Sequence, residues 1–128
     1  MEPIPAETDQ LARACVDSAL KVHRALGPGL LEQVYERCLV YELGQRCIEC
    51  ARQFTVPIYY DGVKLDSDLR IDLLVSNQLV VEIKAVEAVL PVHRAQLLTY
   101  LKLTGHRLGL LINFNVPVIK DGIHRIAL

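Results

Sequence analysis

The chain has 128 residues, 52% of them hydrophobic and 23% charged, with a formal net charge of −1. That length fits one domain, residues 1–128, able to bury roughly two-thirds of its unfolded surface, so a core needs neither disulfides nor a structural metal. The composition excludes a disordered chain, the short apolar runs exclude a membrane-spanning helix, and the acidic N-terminus lacks the apolar segment of a secretory signal. The expectation is a cytoplasmic protein with no membrane partner.

The charge is unevenly spread. Residues 1–90 carry nine Lys/Arg against fourteen Asp/Glu, whereas residues 91–128 carry five Lys/Arg and only Asp121. An indiscriminate duplex binder shows a large basic excess, so any polyanion site here has to be local. Arg94, Lys102, Arg107, Lys120 and Arg125 are its candidates, set against a reading as dispersed, solvated cations. Without Trp and with only two Phe and five Tyr, no base-stacking platform is evident. Of the four cysteines, Cys47 and Cys50 have metal-ligand spacing, but a closed zinc site needs four ligands. Cys15 and Cys38 fall on core-facing helix positions, so all four read as structural thiols.

In chain order, Leu11, Cys15, Ala19, Val22 and Leu26 recur at helical spacing and predict an amphipathic helix over residues 6–26. Gly27-Pro28-Gly29 ends it. A second helix is expected from Leu30 to Arg46, with Leu31, Val34, Tyr35, Cys38 and Leu39 as its apolar face. The period then changes to two: Phe54, Val56, Ile58 and Tyr60 alternate before a hairpin signal at Asp61-Gly62. The returning strand runs from Val63 through Val75, and Ser76-Asn77-Gln78 turns into a strand at Leu79–Val86. Pro91 opens a helix to Thr104, with Ala95, Leu98 and Leu101 inward, capped by Gly105. The apolar run Leu108–Phe114 predicts a central strand covered on both sides, and a last hairpin turns at Asp121-Gly122. The order α-α-β-β-β-α-β-β places the chain in the α/β or α+β class with a mixed sheet flanked by helices.

The chemistry concentrates in the hairpin of residues 69–86. Leu69, Ile71, Leu73 and Val75 share one face, leaving Arg70, Asp72 and Leu74 on the other. In the next strand Leu79, Val81, Ile83 and Ala85 oppose Val80, Glu82, Lys84 and Val86. Register decides whether the charges meet. A three-residue loop at Ser76-Asn77-Gln78 keeps both faces clean and sets Asp72 opposite Glu82 and Arg70 opposite Lys84. Like charges so paired are destabilising. A divalent cation between the carboxylates removes the conflict, with Lys84 pointing into the same site. The plainer alternative is a solvent-exposed lattice of diagonal salt bridges.

An acidic residue on one strand, then Glu82-Ile83-Lys84 on the next, then a helix and another strand, resembles the PD-(D/E)XK nuclease superfamily. Gly29-x-x-Glu32-x-x-Tyr35 is similar, more narrowly, to the pattern that names the GxxExxY protein family within it. His93, Gln96 and Tyr100 fall in a helix similar to the Gln-x-x-x-Tyr helix of the RecB-like nucleases. The superfamily's proline before the acidic residue is replaced here by Ile71. The resemblance implies that Asp72, Glu82, the Ile83 carbonyl and Glu32 ligate Mg²⁺ or Mn²⁺. It further implies that Lys84 and Gln96 act on the attacking water or the scissile phosphate, with Tyr100 in support. The implied activity is metal-dependent hydrolysis of phosphodiester bonds in DNA or RNA. The alternative is a non-catalytic nuclease-fold module that binds nucleic acid or protein. In so short a chain, selectivity would come from a homodimer or a larger complex.

Other readings are structural. Glu32 also suits a helix N-terminus, and His23 a helix C-terminus. Tyr35 reads as a packing residue with a hydrogen-bonded hydroxyl, and Gly29 as a tight connection. His93, one turn before Gln96, would edge the cleft, while His106 and His124 fall near turns and read as solvated. No phosphate-binding glycine loop is present, which disfavours nucleotide hydrolysis.

Overall fold

The computed structural model describes residues 2–128. Helices α1 (Ala6–Leu26) and α2 (Glu32–Gln45) precede three strands, β1 (Cys50–Tyr60), β2 (Val63–Val75) and β3 (Leu79–Lys84). Helix α3 (Pro91–Thr104) then leads to β4 (Leu108–Asn113), a 3₁₀ turn (Ile119–Gly122) and β5 (Ile123–Ala127). The five strands form one mixed sheet in sequential order, parallel at β3–β4 and antiparallel elsewhere. A parallel pair needs a crossover, which α3 supplies. The element order is the one the sequence predicts.

The sheet separates two apolar layers. On one side Cys15, Ala19 and Val22 of α1 and Tyr35, Leu39 and Leu43 of α2 pack on Leu73, Val75, Val81, Ile83, Leu110 and Ile112. On the other, Leu97 and Leu101 of α3 pack on Leu74, Val80 and Leu111. Helix α3 approaches closely because β4 carries Gly109 beneath it; a Cβ there would meet the Leu97 side chain at 2.9 Å.

Several expectations change. In α3 the inward residues are Leu97 and Leu101, four apart, while Ala95 is exposed and Leu98 half-buried. Leu26, Leu31 and Val34 are exposed, at the last residue of α1 and at the N-cap and first turn of α2. Helix α2 begins at Glu32 instead of Leu30: the Leu30 amide donates to the Tyr35 hydroxyl, and Leu31 is extended. Strand β1 starts at Cys50, four residues before the expected Phe54, and β3 stops at Lys84 instead of Val86. Asp121-Gly122 forms no two-residue hairpin. Residues 114–122 make the connection, and Gly122 is wedged against the Asn113 carbonyl, where a side chain has no room.

The largest correction concerns β2. Leu69, Ile71, Leu73 and Val75 do not share a face: the last two join the α1–α2 layer and the first two join the α3 layer. The switch occurs at Asp72. Opposite it in β1, Gln53 has φ 50, and the β1–β2 ladder pairs Arg52 with Leu73 and Phe54 with Ile71 but omits Gln53 and Asp72. A left-handed residue inside a strand bends and twists the ribbon, so the distal half turns its other face to α3.

Candidate active site

The β2–β3 turn has the expected three residues. Ser76 (φ 48) and Asn77 (φ 56) are both left-handed, and the Gln78 amide closes on the Val75 carbonyl. This fixes the pairs Val75–Leu79, Leu74–Val80 and Leu73–Val81, after which the ladder ends. The next two residues in register are Asp72 and Glu82, and they bond through their side chains instead. The Ile83 amide donates to Asp72 Oδ2 at 2.8 Å, and the Asp72 amide donates to Glu82 Oε1 at 3.3 Å. The strands thus fork at two carboxylates. Arg70 does not meet Lys84: it stays exposed and pairs with Thr55 of β1.

The fork is dry on one side. Glu82 is 5% exposed, while Asp72 and Lys84 are half-buried. Burial, reinforced by the negative charge of Asp72, pushes the Glu82 carboxyl from 4.5 up to about 8, and Lys84 opposes the shift. Glu82 therefore retains a proton at neutral pH in the metal-free protein. Among the described residues no ion pair involves Arg70, Asp72, Glu82 or Lys84, which removes the salt-bridge lattice.

Beside the fork, Lys84 lines an open groove of about 530 Å³ with His93, Gln96 and Thr99 of α3. Gln96 is exposed. Tyr100, one turn on, is half-buried; its hydroxyl is shifted up by burial and then by the charges of Glu82 and Asp72, with Gln96 opposing. Helix α3 therefore holds Tyr100 within the field of the two carboxylates and Gln96 on the groove with Lys84. His93 Nδ1 accepts the Leu90 amide at 3.0 Å, and its own amide bonds the Leu90 carbonyl, which fixes the helix start at the groove's edge.

Glu32 heads α2, exposed, lining a depression with Leu30, Leu31, Gln33 and Ala85. Among the described residues no three His, Cys, Asp or Glu side chains converge on one point, so Glu32 stands apart from the Asp72–Glu82 pair. Tyr35 is fully buried and stacks on Phe114 with ring centroids 4.4 Å apart. Its hydroxyl donates to the Gly27 carbonyl at 2.6 Å and accepts the Leu30 amide at 3.1 Å, tying down the connection that presents Glu32.

Two residues of the surroundings escape sequence reasoning. Asn113 is buried at the end of β4; its amide group donates to the Val86 carbonyl and accepts the Val86 amide, anchoring the chain just after Lys84. A lone Asn in an otherwise apolar run is the signal that could have exposed it. Glu36, also buried, accepts Arg52 Nε at 3.0 Å and Gln53 Nε2 at 2.9 Å.

The remaining candidates disperse. Arg125 pairs with Asp9, Arg107 bonds the carbonyls of Leu128 and Glu2, and Arg94 donates to His124 Nδ1. Three of the five C-terminal cations are thus engaged within the chain, while Lys102 and Lys120 are exposed. His106 and His124 are half-buried, not solvated, and burial lowers both pKa values, with Arg94 assisting at His124. His23 is buried and donates to the Val116 carbonyl. All four cysteines are free thiols; burial raises Cys15 to about 12 and Cys50 to about 11.

Asp72, Glu82 and the Ile83 carbonyl are hard oxygen donors, suited to a small divalent cation. The Ile83 amide points to β2, whereas the Lys84 carbonyl accepts from Phe114 on the β4 side. Since N–H and C=O of one extended residue share an edge, the Ile83 carbonyl also faces the fork. The donor set fits, with the Glu82 proton occupying the place of the second positive charge.

The solved chain titled "Crystal structure of SSO0001" superposes with a TM-score of 0.51 at 22% identity, covering 94% of this chain and 62% of that one. The likeness is one of fold, and this chain spans less than two-thirds of that relative's length. No curated protein matches the sequence. The family model described as the PD-(D/E)XK nuclease superfamily matches residues 9–126, from the first turn of α1 into β5 and across the whole fork. By that match the chain belongs to the PD-(D/E)XK nuclease superfamily.

Proposed function

We propose that this protein is a single-domain, cytoplasmic nuclease of the GxxExxY group that hydrolyses phosphodiester bonds in DNA or RNA with Mg²⁺ or Mn²⁺. The observation that carries the reading is the pair of carboxylates at the β2–β3 fork, one of them buried, with Lys84 two residues on along the same strand. Asp72, Glu82 and the Ile83 carbonyl would hold the cation, with Glu32 reaching it through water. When bound, such a cation makes water more acidic and takes up charge on the phosphate.

The side chains divide the remaining work. Lys84 Nζ donates to the attacking water or to a phosphate oxygen where negative charge develops. Gln96, on the groove wall opposite Lys84, positions the scissile phosphate, and Tyr100 fixes Gln96 from the next turn. His93 keeps the N-terminus of α3 at the groove's edge.

The test is cleavage of end-labelled single- and double-stranded DNA and RNA with Mn²⁺, by wild type and Lys84→Ala. Cleavage by wild type that falls about 10²-fold or more in the variant supports the reading. Binding of these nucleic acids without cleavage by either protein would instead favour the non-catalytic module. With Arg94, Arg107 and Arg125 engaged within the chain, a shallow salt dependence is expected.

A further inference from the structure

We infer that Glu36 is a positioning residue for Asp72, acting through a clamp on the left-handed residue Gln53. The inference rests on the nuclease reading of the fork, and it adds a device on the opposite side of β2. Asp72 is free to bond the Ile83 amide because it is released from both neighbouring strands. On the β3 side the ladder has ended. On the β1 side release depends on Gln53, whose φ of 50 turns its backbone out of the pairing Asp72 would otherwise occupy. Residues with a Cβ adopt that conformation only at a cost, so something must hold it.

What holds it is Glu36. It is buried on α2, and its two carboxylate oxygens are each taken, one by Arg52 Nε and the other by the Gln53 side-chain amide. Charge-assisted bonds in a buried setting are strong and directional. They hold β1 at two consecutive residues, one of them the left-handed Gln53. Glu36 also follows Tyr35, whose ring stacks on Phe114 and whose hydroxyl bonds Gly27 and Leu30, so the clamp is anchored to a rigid part of α2. Without the clamp, Gln53 returns to the extended region and pairs with Asp72. That rotates the Asp72 carboxylate away from Ile83 and from Glu82.

The test separates backbone conformation from general stability. Glycine adopts a positive φ freely, whereas valine does not. Amide exchange at Ile83, referenced to Leu110 in the centre of the sheet, reports where Asp72 sits without any metal. Glu36→Gln and Gln53→Val should each speed Ile83 exchange about tenfold or more relative to Leu110. Gln53→Gly should not, and it should restore Glu36→Gln. The same series titrated with Mn²⁺ should show Kd raised about 10- to 100-fold in Gln53→Val and near wild type in Gln53→Gly.

Unchanged Ile83 exchange in Gln53→Val overturns the inference, as does equal loss in the glycine and valine variants. Should Glu36→Gln not fold, the two Gln53 variants decide alone. Wild type that binds no Mn²⁺ overturns the metal reading instead, and the amide comparison still judges the clamp.

Discussion

Glu82→Gln isolates the buried acid of the fork. In the metal-free folded protein Glu82 titrates at about 8 against an ordinary 4.5. Between those values the folded state holds a proton that the unfolded state has released. The stabilising contribution is fully present below pH 4.5 and is lost as pH rises through 8. At ~1.4 kcal/mol per tenfold, the loss over the window is on the order of 4–5 kcal/mol. A carboxamide at this position has no proton to release, so the variant escapes the loss, and the titrating groups not coupled to Glu82 cancel when the two proteins are compared. Urea unfolding in EDTA at several pH values from 4.5 to 8.5 measures the difference. The variant should gain several kcal/mol on wild type across that range and be the more stable protein at its alkaline end. Parallel stability curves would refute the reasoning, because they would mean that Glu82 ionises as an ordinary hydrated carboxylate.

Tyr35→Phe keeps the Phe114 stack but strips the hydroxyl from Gly27 and Leu30; it should cost about 1–3 kcal/mol in denaturant unfolding. Asn113→Leu leaves both polar groups of Val86 without their partner. A loss of about 2–4 kcal/mol should come with fast amide exchange at Val86, the residue that anchors the chain after Lys84. Gly109→Ala pushes a methyl group into the Leu97 side chain, so about 1–3 kcal/mol is expected, read as a lower Tm. At Gly122 the obstacle is the Asn113 carbonyl, which is backbone and cannot swing aside; Gly122→Ala should be the more damaging of the two by the same measurement.

Much of the fold is legible because local patterns dictate it. The 3.6-residue period of α1, the alternation in β1 and the turn residues 76–78 each specify their element, and the parity of that turn brings Asp72 to Glu82. The misreadings arise where a tertiary partner overrides the local pattern. The faces of β2 exchange at residue 72 because of a left-handed Gln53, and the carboxylate that grips Arg52 and Gln53 lies 16 and 17 positions away on α2. Asn113 likewise binds Val86 across 27 residues. Such side-chain bonds leave no periodicity in the sequence. In α3, Ala95 and Leu97 exchange roles because glycine at 109 admits a large side chain directly above it. The site's acidic pair and lysine were readable as Asp72 and Glu82-x-Lys84, whereas the pairing of Arg125 depends on Asp9 at the far end of the chain.

Calorimetric titration of Mn²⁺ into the metal-free protein at pH 7, in two buffers of different ionisation enthalpy, tests the central claim most directly. If Asp72 and Glu82 hold the cation, binding must expel the Glu82 proton. Close to one proton should be released per Mn²⁺ by wild type, and none by Glu82→Gln, which should also bind more weakly. Binding with no proton release, or with the same release from the variant, would place the metal elsewhere and contradict the account.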